Sequence, residues 1–160
     1  MAGEANAKMT DPAQCMVLAG LANMIGARTI VEAGTYRGAA ARALGEHNPN
    51  SRVWTADIVE RPEVEDLPPN TRFYHGDFLD MLDAIKQPID FAYIDASGAS
   101  NKETELRWSH ALHVLPRLSP RGIIAWDDTW SNWSGVDKIR AFANINILAL
   151  KGLSLYQHPE

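Results

Sequence analysis

With 160 residues, 46% of them hydrophobic and 22% charged, the chain is neither a disordered segment nor a fibre. Its length suits one domain spanning residues 1–160, able to bury roughly 70% of the surface that its unfolded chain would expose. A net charge of −5 argues against a nucleic-acid surface, which carries a basic stripe, and the single cysteine, Cys15, excludes an internal disulfide and fits a reducing compartment.

The first ten residues are small and polar, without a charged-then-apolar leader. The apolar run Val17 to Ile25 is interrupted by Asn23 and is too short to span a bilayer, so a soluble cytoplasmic protein with no membrane partner is expected. Asp11, Pro12 and Gln14 predict a helix start, with Asp11 as cap, Pro12 at the first helical position and Gln14 reaching back as in a capping box. Met16, Val17, Leu18, Leu21, Met24 and Ile25 give this helix a broad apolar face, Cys15 is expected to act as a small buried hydrophobe, and Gly26 ends the helix. The stretch Thr29 to Leu44, TIVEAGTYRGAAARAL, predicts a strand, a tight turn through Gly34 and Gly38, and a helix to about Glu46. A helix entered through glycines presents unpaired N–H groups and lets a ligand lie against the main chain.

After a loop at His47 to Asn50, Arg52 to Thr55 predicts a second strand that ends on Asp57. The acidic, proline-rich segment ERPEVEDLPPN is expected to be an irregular connection. Thr71 to His75 follows as a third strand, with Gly76 and Asp77 at its end, and Phe78 to Lys86 has helical periodicity. Ile89 to Ile94 is a buried strand ending on Asp95, and the loop ASGASN leads to a helix from about Lys102 to Leu115. Pro120 and Gly122 predict a turn, and Ile123 to Trp126 a fifth strand ending on Asp127 and Asp128. Val136 to Ala143 predicts a helix, and the runs Ile145 to Leu150 and Leu153 to Tyr156 a closing hairpin.

Strands alternating with helices predict an α/β fold: a doubly wound, mostly parallel seven-stranded sheet with helices on both faces and a C-terminal antiparallel hairpin. Ligands of such sheets bind beyond the carboxyl ends of the strands. Glu32, Asp57, Asp77, Asp95, Asp127 and Asp128 all stand at or just after predicted strand ends, so one rim is lined with carboxylates. A nicotinamide dinucleotide would find a ribose-binding acid in Asp57, about twenty residues beyond the turn. The turn, however, has neither Gly-x-Gly-x-x-Gly nor Gly-Lys-Ser/Thr; its spacing is Glu32-Ala-Gly34-Thr-Tyr-Arg-Gly38.

That Glu-x-Gly-x-x-x-Gly spacing resembles the first motif of the Rossmann-like, S-adenosylmethionine-dependent methyltransferases. The run VEAGTYRGAAARAL, Asp57 after the second strand, HGD at 75–77, IDA at 94–96 and WDDTW at 126–130 together resemble the cation-dependent O-methyltransferases of the catechol and caffeoyl-coenzyme A type. The resemblance implies a turn of Gly34, Thr35, Tyr36 and Gly38 under the methionine part of the cofactor, with Glu32 supporting it. It implies Asp57 and Ile58 at the ribose, and Gly76, Asp77 and Phe78 at the adenine, with Asp77 facing its amino group and Phe78 packing on the ring. Asp95 would border both cofactor and reaction. The bland readings of Glu32 and Asp77 are a helix-end partner and a helix cap.

The same resemblance implies that Asp95, Asp127 and Asp128 hold Mg²⁺ or another hard divalent cation, which takes oxygen ligands and would lower the pKa of an acceptor hydroxyl. Where the family has a lysine this chain has Gly98, and Lys102 is the nearest candidate to replace it; where the family's last ligand is usually asparagine, this chain has Asp128. Trp126, Trp130 and Trp133 would wall an acceptor pocket, or else pack in the core and at a subunit contact. His75, His110 and His113 show no metal-ligand spacing and are expected to be structural or surface residues. The chain is short for the family and lacks an inserted lid after the fifth strand, so a shallow pocket or a homo-oligomer is expected. The functions implied are metal-assisted methyl transfer to a small-molecule hydroxyl, metal-independent transfer to a sugar or other acceptor, or a non-catalytic cofactor-binding module.

Overall fold

The computed structural model describes residues 10–96, 101–127, 129, 136–147 and 152–159, with the backbone alone for 101–104 and 146–147. In chain order the elements are α1 (Pro12–Met24), β1 (Thr29–Ala33), α2 (Ala39–His47), β2 (Arg52–Asp57), β3 (Thr71–His75), α3 (Phe78–Ala84), β4 (Ile89–Ile94), α4 (Asn101–Val114), β5 (Leu118–Trp126), α5 (Val136–Phe142), β6 (Ile145–Ile147) and β7 (Leu153–Gln157). One sheet runs in the order β3-β2-β1-β4-β5-β7-β6. The first five strands pair parallel, and β7 pairs antiparallel with both β5 and β6. The sheet is therefore mixed, and the C-terminal hairpin is antiparallel as expected; 148–151 lie outside the described residues.

Side chains alternate across a strand, and the core divides accordingly. Ile30, Phe91, Tyr93, Ile123 and Ala125 pack with α1 and α2 on one face. Val31, Ala92, Ile94, Ile124 and Trp126 pack with α3, α4 and α5 on the other. Both faces are covered, which is why these strands are nearly continuous apolar runs. Continuing the same alternation past the ends of β4 and β5 directs Asp95 and Asp127 toward the α1 layer.

Several expectations are corrected. Asp11 does cap α1, its Oδ1 accepting from the Ala13 N–H at 2.9 Å. Gln14 forms no capping box: it is buried, and its side-chain amide crosses the molecule to Asp127. The buried stripe of α1 is Gln14, Cys15, Leu18, Ala19 and Ala22, while Met16 and Met24 face solvent, Met24 with 69% exposure. Small residues win this face because α1 lies against α2, where Asn48 donates to the carbonyls of Ala19 and Leu44 at 3.3 and 2.9 Å. Within the connection expected to be irregular, Pro62–Asp66 closes a short 3₁₀ turn around buried Val64.

Pro120 and Gly122 do not end an element. They lie inside β5, where the register jumps from Ile89 opposite Leu118 to Phe91 opposite Ile123. The extra residues bulge outward, with Arg121 at φ 66°.

Candidate active site

The turn between β1 and α2 is built around a close backbone approach. Gly34 has φ 95°, and a Cβ there would stand 2.5 Å from the Asp95 carbonyl oxygen. No other residue fits without moving β4. Tyr36, at φ 48°, takes the left-handed conformation without being glycine, and Gly38, at φ 76°, is the left-handed N-cap of α2. Strain of this kind persists where surrounding bonds fix it, and here they are visible. The Gly34 and Thr35 N–H groups both donate to the Ala56 carbonyl, at 2.9 and 3.3 Å. The Tyr36 N–H donates to Asp57 Oδ2 at 2.7 Å, and the Val59 N–H to Asp57 Oδ1 at 2.9 Å. Asp57 thus ties the end of β2 to the turn. Each carboxylate oxygen can accept twice, so Asp57 keeps acceptor capacity toward the rim.

Behind the turn, Glu32 is buried and accepts from Thr55 Oγ1 at 2.5 Å, and Thr55 Oγ1 stands 2.5 Å from Thr35 Oγ1. Desolvation pushes the Glu32 carboxyl up to about 8, helped by Asp95 and Asp57 and opposed by the Thr55 bond. It is protonated at neutral pH. Ile58 lies 74% exposed at the end of β2. Gly76 donates its N–H to the Asp57 carbonyl at 2.9 Å, so the end of β3 is fastened to the same place. Asp77 caps α3 by accepting from the Leu79 N–H at 2.7 Å. Phe78 is buried, with its ring 4.8 Å from that of His110. Burial lowers the His110 pKa to about 4, against the raising effect of Asp77.

At the ends of β4 and β5, Asp95 and Asp127 come together around residues the motifs did not single out. Gln14 Nε2 donates to Asp127 Oδ1 at 2.6 Å. The Tyr93 hydroxyl lies 3.3 Å from Asp127 Oδ2 and 3.4 Å from Asp95 Oδ2, and its single proton serves one at a time. Burial and the two aspartates raise the Tyr93 pKa well above its ordinary value. Arg107 reaches in from α4: Nη2 to Asp95 Oδ1 at 3.2 Å, Nη1 to the Asp127 carbonyl at 2.8 Å and Nε to the Ala96 carbonyl at 3.3 Å. Beyond Asp127, Thr129 N–H donates to the Gly152 carbonyl at 2.7 Å and Ser154 Oγ to Thr129 Oγ1 at 2.8 Å, pinning the start of that loop to β7.

Asp128, Gly98, Trp130, Trp133 and the side chain of Lys102 lie outside the described residues. Trp126 is fully buried, with its ring edge-on to Phe142 in the core. Cys15 is buried as expected, its thiol pKa raised to about 11 mainly by desolvation. The sequence offered signals for the missed residues. Tyr93 is the one hydroxyl-bearing residue in the strand IDFAYI. Arg107 lies on the helical stripe of buried His110, Ala111 and Val114, where a charge calls for a partner, and His110 is the structural residue expected. A separate groove of about 470 Å³, lined in part by Arg28, Arg52 and Arg72, lies at the amino ends of β1 to β3. That is the end of a doubly wound sheet away from its ligand rim.

Comparison with known proteins agrees with this geometry. The family model described as "Methyltransferase domain" matches residues 31–129, from β1 to just past β5. No curated protein matches the chain. Among solved structures, the O-methyltransferase TomG from Streptomyces achromogenes, in complex with S-adenosylmethionine, is 19% identical with a TM-score of 0.72, over 95% of this chain and 82% of that one. An O-methyltransferase from Bacillus cereus, in complex with S-adenosylhomocysteine, is 22% identical with a TM-score of 0.69, over 93% and 80%. A methyltransferase from Podospora anserina, bound to S-adenosylhomocysteine, is 16% identical with a TM-score of 0.73, over 95% and 80%. The chain belongs to the methyltransferase-domain family, with the Rossmann-like fold of the S-adenosylmethionine-dependent O-methyltransferases.

Proposed function

We propose that the domain formed by residues 1–160 transfers a methyl group from S-adenosylmethionine to a hydroxyl of a small molecule. The observation that carries this reading is Asp57, one carboxylate at the end of β2 that fastens the strained Gly34–Gly38 turn with one backbone donor on each oxygen, which leaves each able to accept once more. Two ribose hydroxyls would donate to it, while the turn offers bare backbone to the methionine portion. S-adenosylmethionine supplies the methyl group already activated on a sulfonium. The chain's part is to hold that cation over acidic residues, Asp95 foremost, and to bring an acceptor oxygen into line. Ile58 provides an apolar surface beside the ribose; Gly76 and Asp77 border the adenine, with Phe78 supporting that wall from the core. A homo-oligomer that completes the acceptor pocket accords with this reading.

Assistance by Mg²⁺ meets a test in the site itself. A hard divalent cation needs carboxylate oxygens open to it. Asp95 Oδ1 accepts from Arg107 and Asp127 Oδ1 from Gln14, and the Tyr93 hydroxyl stands between the two remaining oxygens, with a proton for one of them at a time. Among the described residues, no three His, Cys, Asp or Glu side chains form a group that could hold a metal ion. The Arg107 guanidinium against Asp95 sets a fixed positive charge where a divalent ion would draw its oxygens, and positioning without a metal is the form of the reaction we favour. The test is transfer of a radiolabelled methyl group from S-adenosylmethionine to a panel of phenols, sugars and aliphatic alcohols, with and without a chelator. Turnover unchanged by the chelator is expected. Cofactor binding with no turnover across the panel would leave a non-catalytic module, and turnover abolished by the chelator would restore the metal.

A further inference from the structure

A buried guanidinium is stable only where charge and hydrogen bonds surround it. Arg107 meets that condition: its side chain is 9% exposed, and its three nitrogens reach Asp95 Oδ1, the Asp127 carbonyl and the Ala96 carbonyl. α4 packs on the face of the sheet opposite α1, so the arginine passes around the strand ends to meet carboxylates directed at the other layer. It bridges the same two strand ends, of β4 and β5, from which a divalent ion would draw its oxygens. Gln14, from α1, and Tyr93 complete the enclosure from the opposite side.

We propose that Arg107 is the resident cation of this site, its guanidinium bridging the ends of β4 and β5 so that Asp95 and Asp127 are kept from gathering a divalent metal. Its part in catalysis rests on the methyltransferase reading; its exclusion of metal does not. The arginine is a positioning residue, since it touches Asp95 and two carbonyls rather than a reacting atom. A planar fork with fixed donor directions holds three acceptors at set positions, which a lysine could not. Fixed positive charge at Asp95 also removes the need for an acceptor with two adjacent oxygens, because no ion has to be chelated. An acceptor with a single hydroxyl is then as eligible as one with two.

The test uses Mn²⁺ as the probe, followed by the loss of its free electron-paramagnetic signal, on the intact protein with and without S-adenosylhomocysteine. The wild type is expected to bind no Mn²⁺ below about 1 mM. Arg107→Gln frees the Asp95 carboxylate and removes the positive charge beside Asp127, and is expected to bind Mn²⁺ at least about tenfold more tightly, a gain removed by adding Asp127→Asn. Arg107→Lys, which keeps the charge, should stay near the wild type and serves if the glutamine variant fails to fold. Stoichiometric micromolar Mn²⁺ binding by the wild type that Asp127→Asn abolishes would overturn the proposal. So would a folded Arg107→Gln that binds Mn²⁺ no better than the wild type. S-adenosylhomocysteine affinity measured on the same samples keeps the two questions apart: its absence would sink the cofactor reading, while the Mn²⁺ series without it still judges Arg107.

Discussion

Glu32 shows how much chemistry one buried side chain carries. Its folded-state pKa of about 8 lies above the ordinary carboxyl value, so the folded chain holds a proton that the unfolded chain has released. The stability that this provides is complete below the ordinary value of about 4.3 and is lost as pH rises through about 8. Glu32→Gln removes the titration while keeping an acceptor for Thr55. Thermal midpoints at pH 5 and pH 8.5 should therefore differ less in the variant than in the wild type; equal slopes would mean that Glu32 is already ionised when folded. Gln14 is the complementary case. Gln14→Leu leaves a buried Asp127 oxygen without its 2.6 Å amide donor, and a loss of about 1–3 kcal/mol is expected by denaturant titration. The capping pattern around Asp11 was legible in sequence, but Gln14's partner is 113 positions away, and only the assembled sheet reveals it.

At the level of the element, the turn from β1 to α2 is the part most fully written in the sequence. Its glycines predict room for a ligand against the main chain, and at Gly34 the structure shows the protein's own backbone taking that room, with a Cβ there 2.5 Å from the Asp95 carbonyl. Gly34→Ala is expected to destabilise the protein by about 2 kcal/mol or more and to remove cofactor binding. Gly20, in α1 with nothing within 4 Å of a Cβ, is the control: Gly20→Ala should stabilise by about 0.5–1 kcal/mol, seen as a higher thermal midpoint. The β5 bulge was not legible. Pro120 and Gly122 signal a chain reversal by local rules, but β4 on one side and β7 on the other hold the strand through the irregularity. In α1 the periodic apolar residues marked the core-facing side through Leu18, Val17, Leu21 and Ile25 but set it too wide at Met16 and Met24, because the closest approach to α2 is made by small side chains.

Across the whole molecule, the order β2-β1-β4-β5 brings the strand ends at Asp57, Asp95 and Asp127 to one edge of the sheet, with Glu32 buried one residue before the end of β1 between them. Of the acids read from the sequence, Asp57, Asp77, Asp95 and Asp127 stand at or just past strand ends as expected, Glu32 is buried behind the turn, and Asp128 lies outside the described residues. What the rim lacks in sequence is its positive charge: Arg107 comes from a helix on the far face, and no spacing rule links it to Asp95. The motifs pointed to a metal at the strand ends where we propose that a guanidinium stands instead. The central claim, that this rim holds an S-adenosyl cofactor through Asp57 and the Gly34 turn, is tested most directly by calorimetric titration with S-adenosylhomocysteine. The account predicts saturable binding that Asp57→Ala weakens at least about tenfold. No binding to the wild type, or equal affinity in a folded Asp57→Ala, would contradict it.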